Sequence, residues 1–102
     1  MIYKVFSLYD SAVEAYNVPM FLRTNGEAIR SLTAAVNDSE STICKWPDQY
    51  VLFELGTYDD SDGSFCPLSA PKSLGSALQY KAEPKGELPL EAAISKIRQQ
   101  GV

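Results

Sequence analysis

Residues 15–37 read AYNVPMFLRTNGEAIRSLTAAVN, an extended apolar segment that leads directly into an amphipathic helix. Thr24 is suited to cap the start of the helix, and Glu27, three residues later, completes a capping box that satisfies free backbone N–H groups. Beyond the cap, an apolar stripe recurs at helical spacing, formed by Ala28, Ile29, Leu32, Ala35 and Val36. We therefore predict a helix over residues 25–37 that packs its stripe on strands from either side of the segment.

Two strand patterns lie before this helix. Residues 2–9 (IYKVFSLY) are rich in strand-forming residues and have apolar side chains on both faces, which is typical of a central strand. One face would carry Ile2, Lys4, Phe6 and Leu8, and the other Tyr3, Val5 and Tyr9. Residues 18–23 predict a second strand, and Pro19 favours the edge of a sheet because proline donates no ladder hydrogen bond.

A hairpin is predicted after the helix. Residues 42–48 are expected to be irregular, and residues 50–58 (YVLFELGTY) form the strongest strand pattern in the chain. Its alternation puts Tyr50, Leu52, Glu54 and Tyr58 on one face and Val51, Phe53 and Leu55 on the other. The acidic residues 59–62 with Gly63 predict a turn, followed by a short strand over residues 64–68 and a loop with one helical turn over residues 69–80.

These elements predict a small α+β domain over residues 1–80. It would contain an antiparallel sheet of about four strands, with the main helix on one face and aromatic side chains on the other. Residues 11–16 are ambiguous, and an OB-like barrel is the alternative if they form a strand. Residues 81–102 predict a linker followed by a short C-terminal amphipathic helix from Leu90, packed on a sheet edge or on a second subunit.

Composition limits the chemistry that the chain can perform. The 102 residues include 13 acidic and 9 basic residues, for a net charge of −4, and no histidine. Histidine-based acid–base catalysis and imidazole metal sites are therefore excluded. Cys44 and Cys66 are expected to be reduced thiols, and the acidic turn does not align with a calcium-binding loop at either end. We predict neither enzymatic activity nor a metal or cofactor site.

Hydropathy gives an expectation about location. No apolar run approaches the roughly 20 residues that span a bilayer, and the first residues lack the basic and apolar regions of a signal peptide. We therefore expect a cytosolic protein without a membrane partner.

The aromatic residues suggest a binding function. Aromatic rings interleaved with basic residues are what proteins use to bind single-stranded nucleic acid, although aromatic rings also commonly fill the two sides of a small sheet. The net negative charge argues against binding dominated by counterion release. The candidate nucleic-acid-binding residues are Tyr16, Phe21, Arg23, Arg30, Lys45 and Trp46.

An ordered set of short segments supports a family resemblance over about residues 1–80. The segments are Tyr9-Asp10-Ser11, Glu14-Ala15-Tyr16, Pro19 with Phe21, Thr24-Asn25-Gly26, Ala28-Ile29-Arg30, Val36-Asn37, Leu52-Phe53-Glu54-Leu55-Gly56, Tyr58-Asp59-Asp60, and Pro71 followed by Ser73-Leu74-Gly75. Together they resemble the small nonstructural protein of the gokushovirus branch of the Microviridae, which are phages with circular single-stranded DNA. Residues from Lys81 onward depart from this pattern.

The resemblance implies a nonenzymatic phage protein of the host cytoplasm that is absent from the virion. It implies single-stranded DNA binding and a role in the switch from duplex replication to single-strand production and packaging. The alternative is a protein-interaction module that engages the phage replication protein, the procapsid or a host factor, which the acidic charge favours. An exposed strand edge together with an aromatic sheet face also predicts a homodimer.

Overall fold

The computed structural model describes residues 1–82, which form one antiparallel sheet of five strands with helices on one side. The elements in order are β1 (Ile2–Asp10), β2 (Ala15–Tyr16), β3 (Met20–Leu22), α1 (Asn25–Val36), α2 (Thr42–Lys45), a 3-10 helix (Pro47–Gln49), β4 (Tyr50–Asp59), β5 (Ser64–Ser76) and a second 3-10 helix (Ala77–Tyr80). The predicted α+β class is confirmed. The predicted linker and C-terminal helix lie outside the described residues, except for Lys81 and Ala82.

The sheet is open. Its order is β2-β1-β4-β5, and β3 also pairs with β1. β4 pairs along the whole of β1, so β2 and β3 share the opposite side of β1 as two short pieces of one edge. Residues 17–19 separate the two pieces, and the Ser7 hydroxyl donates to the Asn17 carbonyl across this gap. Because β5 and the β2–β3 edge do not meet, the barrel alternative is not adopted.

Helix α1 begins where the capping pattern predicts. The Thr24 hydroxyl accepts a hydrogen bond from the Glu27 amide at 3.1 Å. The Glu27 carboxylate accepts from the Arg23 amide at 2.8 Å, one residue earlier than the reciprocal bond of a standard capping box. At the other end, the Asn37 side chain donates to the Thr33 and Tyr80 carbonyls and accepts from the Ala82 amide. The helix is therefore fixed at both ends.

The core lies between α1 and one face of the sheet. Its buried apolar residues are Phe6, Leu8, Ala28, Leu32, Val36, Tyr50, Leu52 and Ala77. Beside this core, the Lys4 ammonium donates to the Asn25 side chain at 2.9 Å and lies 3.7 Å from the buried Glu54 carboxylate. This ion pair links β1, β4 and the start of α1.

Two predictions about loops are wrong. Residues 42–48 contain α2 and most of a 3-10 helix, because Ser41 caps the Cys44 amide and the half-buried Ile43 of α2 packs against the core. The short strand and most of the loop after the hairpin turn are instead the 13-residue β5, which pairs with the outer edge of β4 on both sides of an unpaired stretch at residues 68–71. The predicted helical turn is present as the 3-10 helix Ala77–Tyr80. Residues 11–16, which the sequence left ambiguous, form a turn followed by the two residues of β2.

A β-bulge in β4 changes which face its last residues occupy. The consecutive residues Val5 and Phe6 pair with Gly56 and Glu54, which leaves Leu55 as an extra residue. Because strand side chains alternate, one extra residue moves those that follow to the other face. Tyr58 therefore faces away from α1, and its predicted position beside Leu52 and Glu54 is wrong.

The capping bond predicts a stability effect. Replacement Thr24→Ala should lower the free energy of unfolding by about 1 kcal/mol, because it leaves the Glu27 amide without its acceptor. Urea denaturation followed by circular dichroism measures this change. Ser31→Ala, at an exposed position in the same helix, is the matched control and should cause no loss. Equal stability of the two variants would show that the cap contributes nothing.

Candidate nucleic-acid interface

The sheet face opposite α1, called the open face below, carries six aromatic rings that contact one another, and Tyr3, the register partner of Tyr58, shares this face. The six rings are Tyr9, Tyr16, Phe21, Phe53, Tyr58 and Phe65. The exposed fraction is 43% for Tyr16, 41% for Phe21 and 63% for Phe65. Aromatic rings this exposed on one face are suited to contact planar ligands.

The rings form two clusters at the two ends of the face. In the first, Tyr16 lies between Tyr9, at 5.0 Å between ring centroids, and Phe53, at 5.8 Å. Strand pairing brings this cluster together, since Tyr9 is the register partner of Tyr16 and Phe53 lies on the neighbouring strand β4.

In the second cluster Phe21, Tyr58 and Phe65 contact one another, with centroids 4.8 to 6.1 Å apart. Each ring comes from a different strand. Tyr58 is the register partner of Phe65, and Phe21 pairs with Val5 on β1. Tyr58 joins this cluster only because of the bulge at Leu55.

An apolar cavity of about 270 Å³ lies beside the second cluster. Phe21 and Phe65 line it together with Val5 and Leu55. Gly56 also lines it and lies so close to β5 that a Cβ there would be 2.7 Å from Pro67 Cα and in still closer contact with the Cys66 carbonyl oxygen. The absence of a side chain at Gly56 therefore permits the close approach of β4 and β5 beneath the open face.

The structure separates the residues that the sequence predicts as a site. Tyr16 and Phe21 lie on the open face, in different clusters. Arg23 is exposed immediately after β3, one position past the register pair of Leu22 with Lys4.

The other three candidate residues lie elsewhere. Arg30 is exposed on α1, on the other side of the sheet. Lys45 ends α2 and Trp46 follows it; both are exposed, and α2 is on the helix side because Ile43 contacts the core. The structure thus brings two of the six residues, Tyr16 and Phe21, to one face. Arg23 follows Phe21 closely in the chain.

Sequence reasoning left four of the aromatic residues out of the site. Alternation along β1 and β4 already puts Tyr9 and Phe53 on the face away from the core, so these two could have been included. Phe65 requires the hairpin register, which pairs it with Tyr58. Tyr58 could not be placed from alternation alone; the one signal was Gly56, because a glycine inside a strand pattern often marks a bulge or a close backbone approach.

Acidic groups concentrate at the hairpin turn that follows β4. Gly63 adopts a φ of 75°, as the predicted turn requires. The Asp60 carboxylate lies 2.6 Å from the N-terminal amine, and this hydrogen bond raises the pKa of the amine. Hydrogen bonds from Ser61 lower the pKa of Asp59. Within residues 1–82, no group of three metal-ligating side chains is placed to hold an ion, and no helix is long and apolar enough to cross a membrane.

Comparison with known proteins identifies the family. The family model described as Phage ORF5 protein matches residues 3–80, well over half of the chain. The chain belongs to this family. The Phage ORF5 match begins within β1 and ends at Tyr80, so it includes β2 to β5, both α-helices and both clusters of the open face. No curated protein and no solved structure matches the chain.

The close approach at Gly56 leads to a prediction. Gly56→Ala should lower the free energy of unfolding by about 1–3 kcal/mol, because the new methyl group collides with the backbone of β5. Urea denaturation measures the loss. Gly26→Ala is the control: only the Thr24 hydroxyl lies near, at 3.8 Å, and alanine in α1 should leave stability unchanged or higher. If Gly56→Ala is as stable as the control, β4 and β5 are not held as closely as described.

Proposed function

We propose that this phage protein is a nonenzymatic single-stranded DNA-binding protein that uses the open face. The observation that carries the proposal is the pair of partly exposed aromatic clusters on one sheet face. The resemblance to gokushovirus-type Microviridae proteins supports a role in the switch from duplex replication to genome packaging. The family match to a phage protein is consistent with that role.

Stacking would supply most of the binding free energy. Bases stack on aromatic rings with about 1–3 kcal/mol each, whatever their sequence, since every base has a π-face. Phe21 and Phe65 belong to one cluster and Tyr16 to the other, so successive bases of one strand could contact both. Arg23, next to β3, is the cation best placed to contact a phosphate.

The salt dependence of binding should be weak, because the protein has a net charge of −4 and Arg23 is the one cation expected to contact a phosphate. A single phosphate contact gives a slope of about −0.7 for the logarithm of the binding constant against the logarithm of the salt concentration on single strands. Binding through the open face should therefore weaken only mildly with added salt. Arg23→Gln should abolish most of this slope, whereas Arg30→Gln, on the other side of the sheet, should leave it unchanged.

Fluorescence anisotropy of a labelled oligo-dT measures the interaction. Phe21→Ala and Phe65→Ala should each weaken binding about 5- to 150-fold, the equivalent of one lost stacking contact. Trp46→Ala is the matched control, since Trp46 is 59% exposed but lies on the helix side, and it should bind as tightly as the unmodified protein.

Two outcomes would contradict the proposal. Absence of saturable binding at low salt would exclude it. Weakening by Trp46→Ala but not by Phe65→Ala would place the DNA at Lys45 and Trp46 instead of the open face.

Light scattering on the same samples tests the predicted homodimer. A dimer formed through the open face should dissociate in Phe65→Ala, and it should not bind DNA because its aromatic clusters are covered.

The acidic charge favours a second candidate function. An apolar aromatic face on a protein with more acidic than basic residues also suits docking of an apolar, basic segment of another protein. The partner would be the phage replication protein, the procapsid or a host factor. Pull-down of a purified replication or capsid protein in the absence of DNA, lost in Phe65→Ala and retained in Trp46→Ala, would support this function over the first.

A further inference from the structure

A second cavity, of about 340 Å³, lies away from the open face. It is formed where the turn after β1 meets the segment between α2 and β4, and its lining includes Asp10, Trp46, Gln49 and Tyr50. Its volume is at the lower end of the range for small-molecule sites, about 300–1,000 Å³. The cavity is thus of a size for one planar heterocycle.

Hydrogen bonds fix the two sides of this cavity to each other. The Ser11 amide donates to the Gln49 carbonyl at 2.9 Å, and the Ser11 hydroxyl donates to the same oxygen at 3.0 Å. The backbone amide of Gln49 in turn donates to the Trp46 carbonyl at 3.0 Å. A site held in this way is preformed, so a ligand need not order it on binding.

The polar groups of the cavity retain part of their hydrogen-bonding capacity. Asp10 Oδ1 accepts from the Ala12 amide at 3.0 Å, and the Asp10 carboxylate also pairs with the Tyr50 hydroxyl; of its four lone-pair positions, two remain for a ligand. The side-chain oxygen of Gln49 accepts from the Ser11 hydroxyl at 3.3 Å, which leaves its amide group as a donor. Burial, with the Asp10 charge and the hydrogen bond to Asp10 as further causes, raises the pKa of Tyr50.

We infer that this cavity binds a guanine base, with Trp46 as the stacking surface and Asp10 as the group that selects the base. A carboxylate only accepts hydrogen bonds, and guanine presents two adjacent donors, N1–H and the 2-amino group, which a carboxylate can engage together. The side-chain amide of Gln49 can donate a hydrogen bond to the guanine O6. Thymine presents one N–H between two carbonyl oxygens, which the carboxylate would repel.

This site is separate from the open face and does not depend on the function proposed for it. The guanine could come from a free nucleotide or from a base of single-stranded DNA. Lys45, which precedes Trp46 in the chain, is the candidate cation for the attached phosphate.

Fluorescence of Trp46, the single tryptophan of the chain, reports directly on the cavity. Guanosine monophosphate should quench it saturably. Inosine monophosphate, which lacks only the 2-amino group, should bind about tenfold more weakly because one charge-assisted hydrogen bond is lost. Thymidine monophosphate should not quench at the same concentrations. Equal affinity for the guanine and inosine nucleotides, or no saturable quenching up to millimolar concentration, would overturn the assignment.

Variants separate this site from the open face. Asp10→Asn keeps an oxygen for the Ala12 amide, so the turn should persist, but it should reduce the preference for guanine over inosine to less than twofold. Phe65→Ala should bind the guanine nucleotide normally. An unchanged preference in a folded Asp10→Asn variant would overturn the role of the carboxylate. Comparing the affinity for an oligo-dT that contains one dG with the affinity for guanosine monophosphate shows whether the cavity prefers a base of single-stranded DNA or a free nucleotide.

Discussion

The structure depends on the pairing of β1 with β4. This ladder is the centre of the sheet, and both strands carry apolar side chains on both faces. On one face Phe6 and Leu52 are fully buried beneath α1. The other face carries Tyr9 and Phe53, and no helix within residues 1–82 packs over it. Its middle residues Val5 and Ser7 are nonetheless buried, and the Ser7 hydroxyl donates to the Asn17 carbonyl of the β2–β3 link. The central pair is therefore covered by a helix on one side, while the aromatic clusters at the two ends of the other side stay partly exposed.

The bulge at Leu55 divides the open face into its two parts. Before it, β4 follows the simple alternation and contributes Phe53 to the first cluster. After it, the alternation is inverted and Tyr58 joins Phe21 and Phe65. The bulge also brings Gly56 against β5, which gives the apolar cavity its shape. The extra residue in β4 therefore accounts for the second cluster and, together with the unpaired residues 68–71 of β5, for the irregular pairing beside the cavity, in keeping with the frequent occurrence of bulges near functional sites.

The two candidate sites differ in their chemistry. The open face is aromatic and shallow, which suits contact with any base and little discrimination among them. The cavity at Asp10 combines one ring with a carboxylate and an amide, which suits recognition of one base edge. A protein with a net charge of −4 gains little from counterion release, so both sites would bind mainly through rings and hydrogen bonds. This balance explains how an acidic chain can be a candidate for nucleic-acid binding.

Sequence by itself determined what depends on local chemistry: the cap at Thr24, the stripe of α1, the two faces of β1 and the turn at Gly63. These features follow from the side chains of neighbouring residues and from helix or strand periodicity. Tertiary structure alone decided the length of β5, the face of Tyr58 and the separation of Trp46 from Phe21. Each of these depends on which distant backbone groups meet, and such pairings leave no signature in a local pattern.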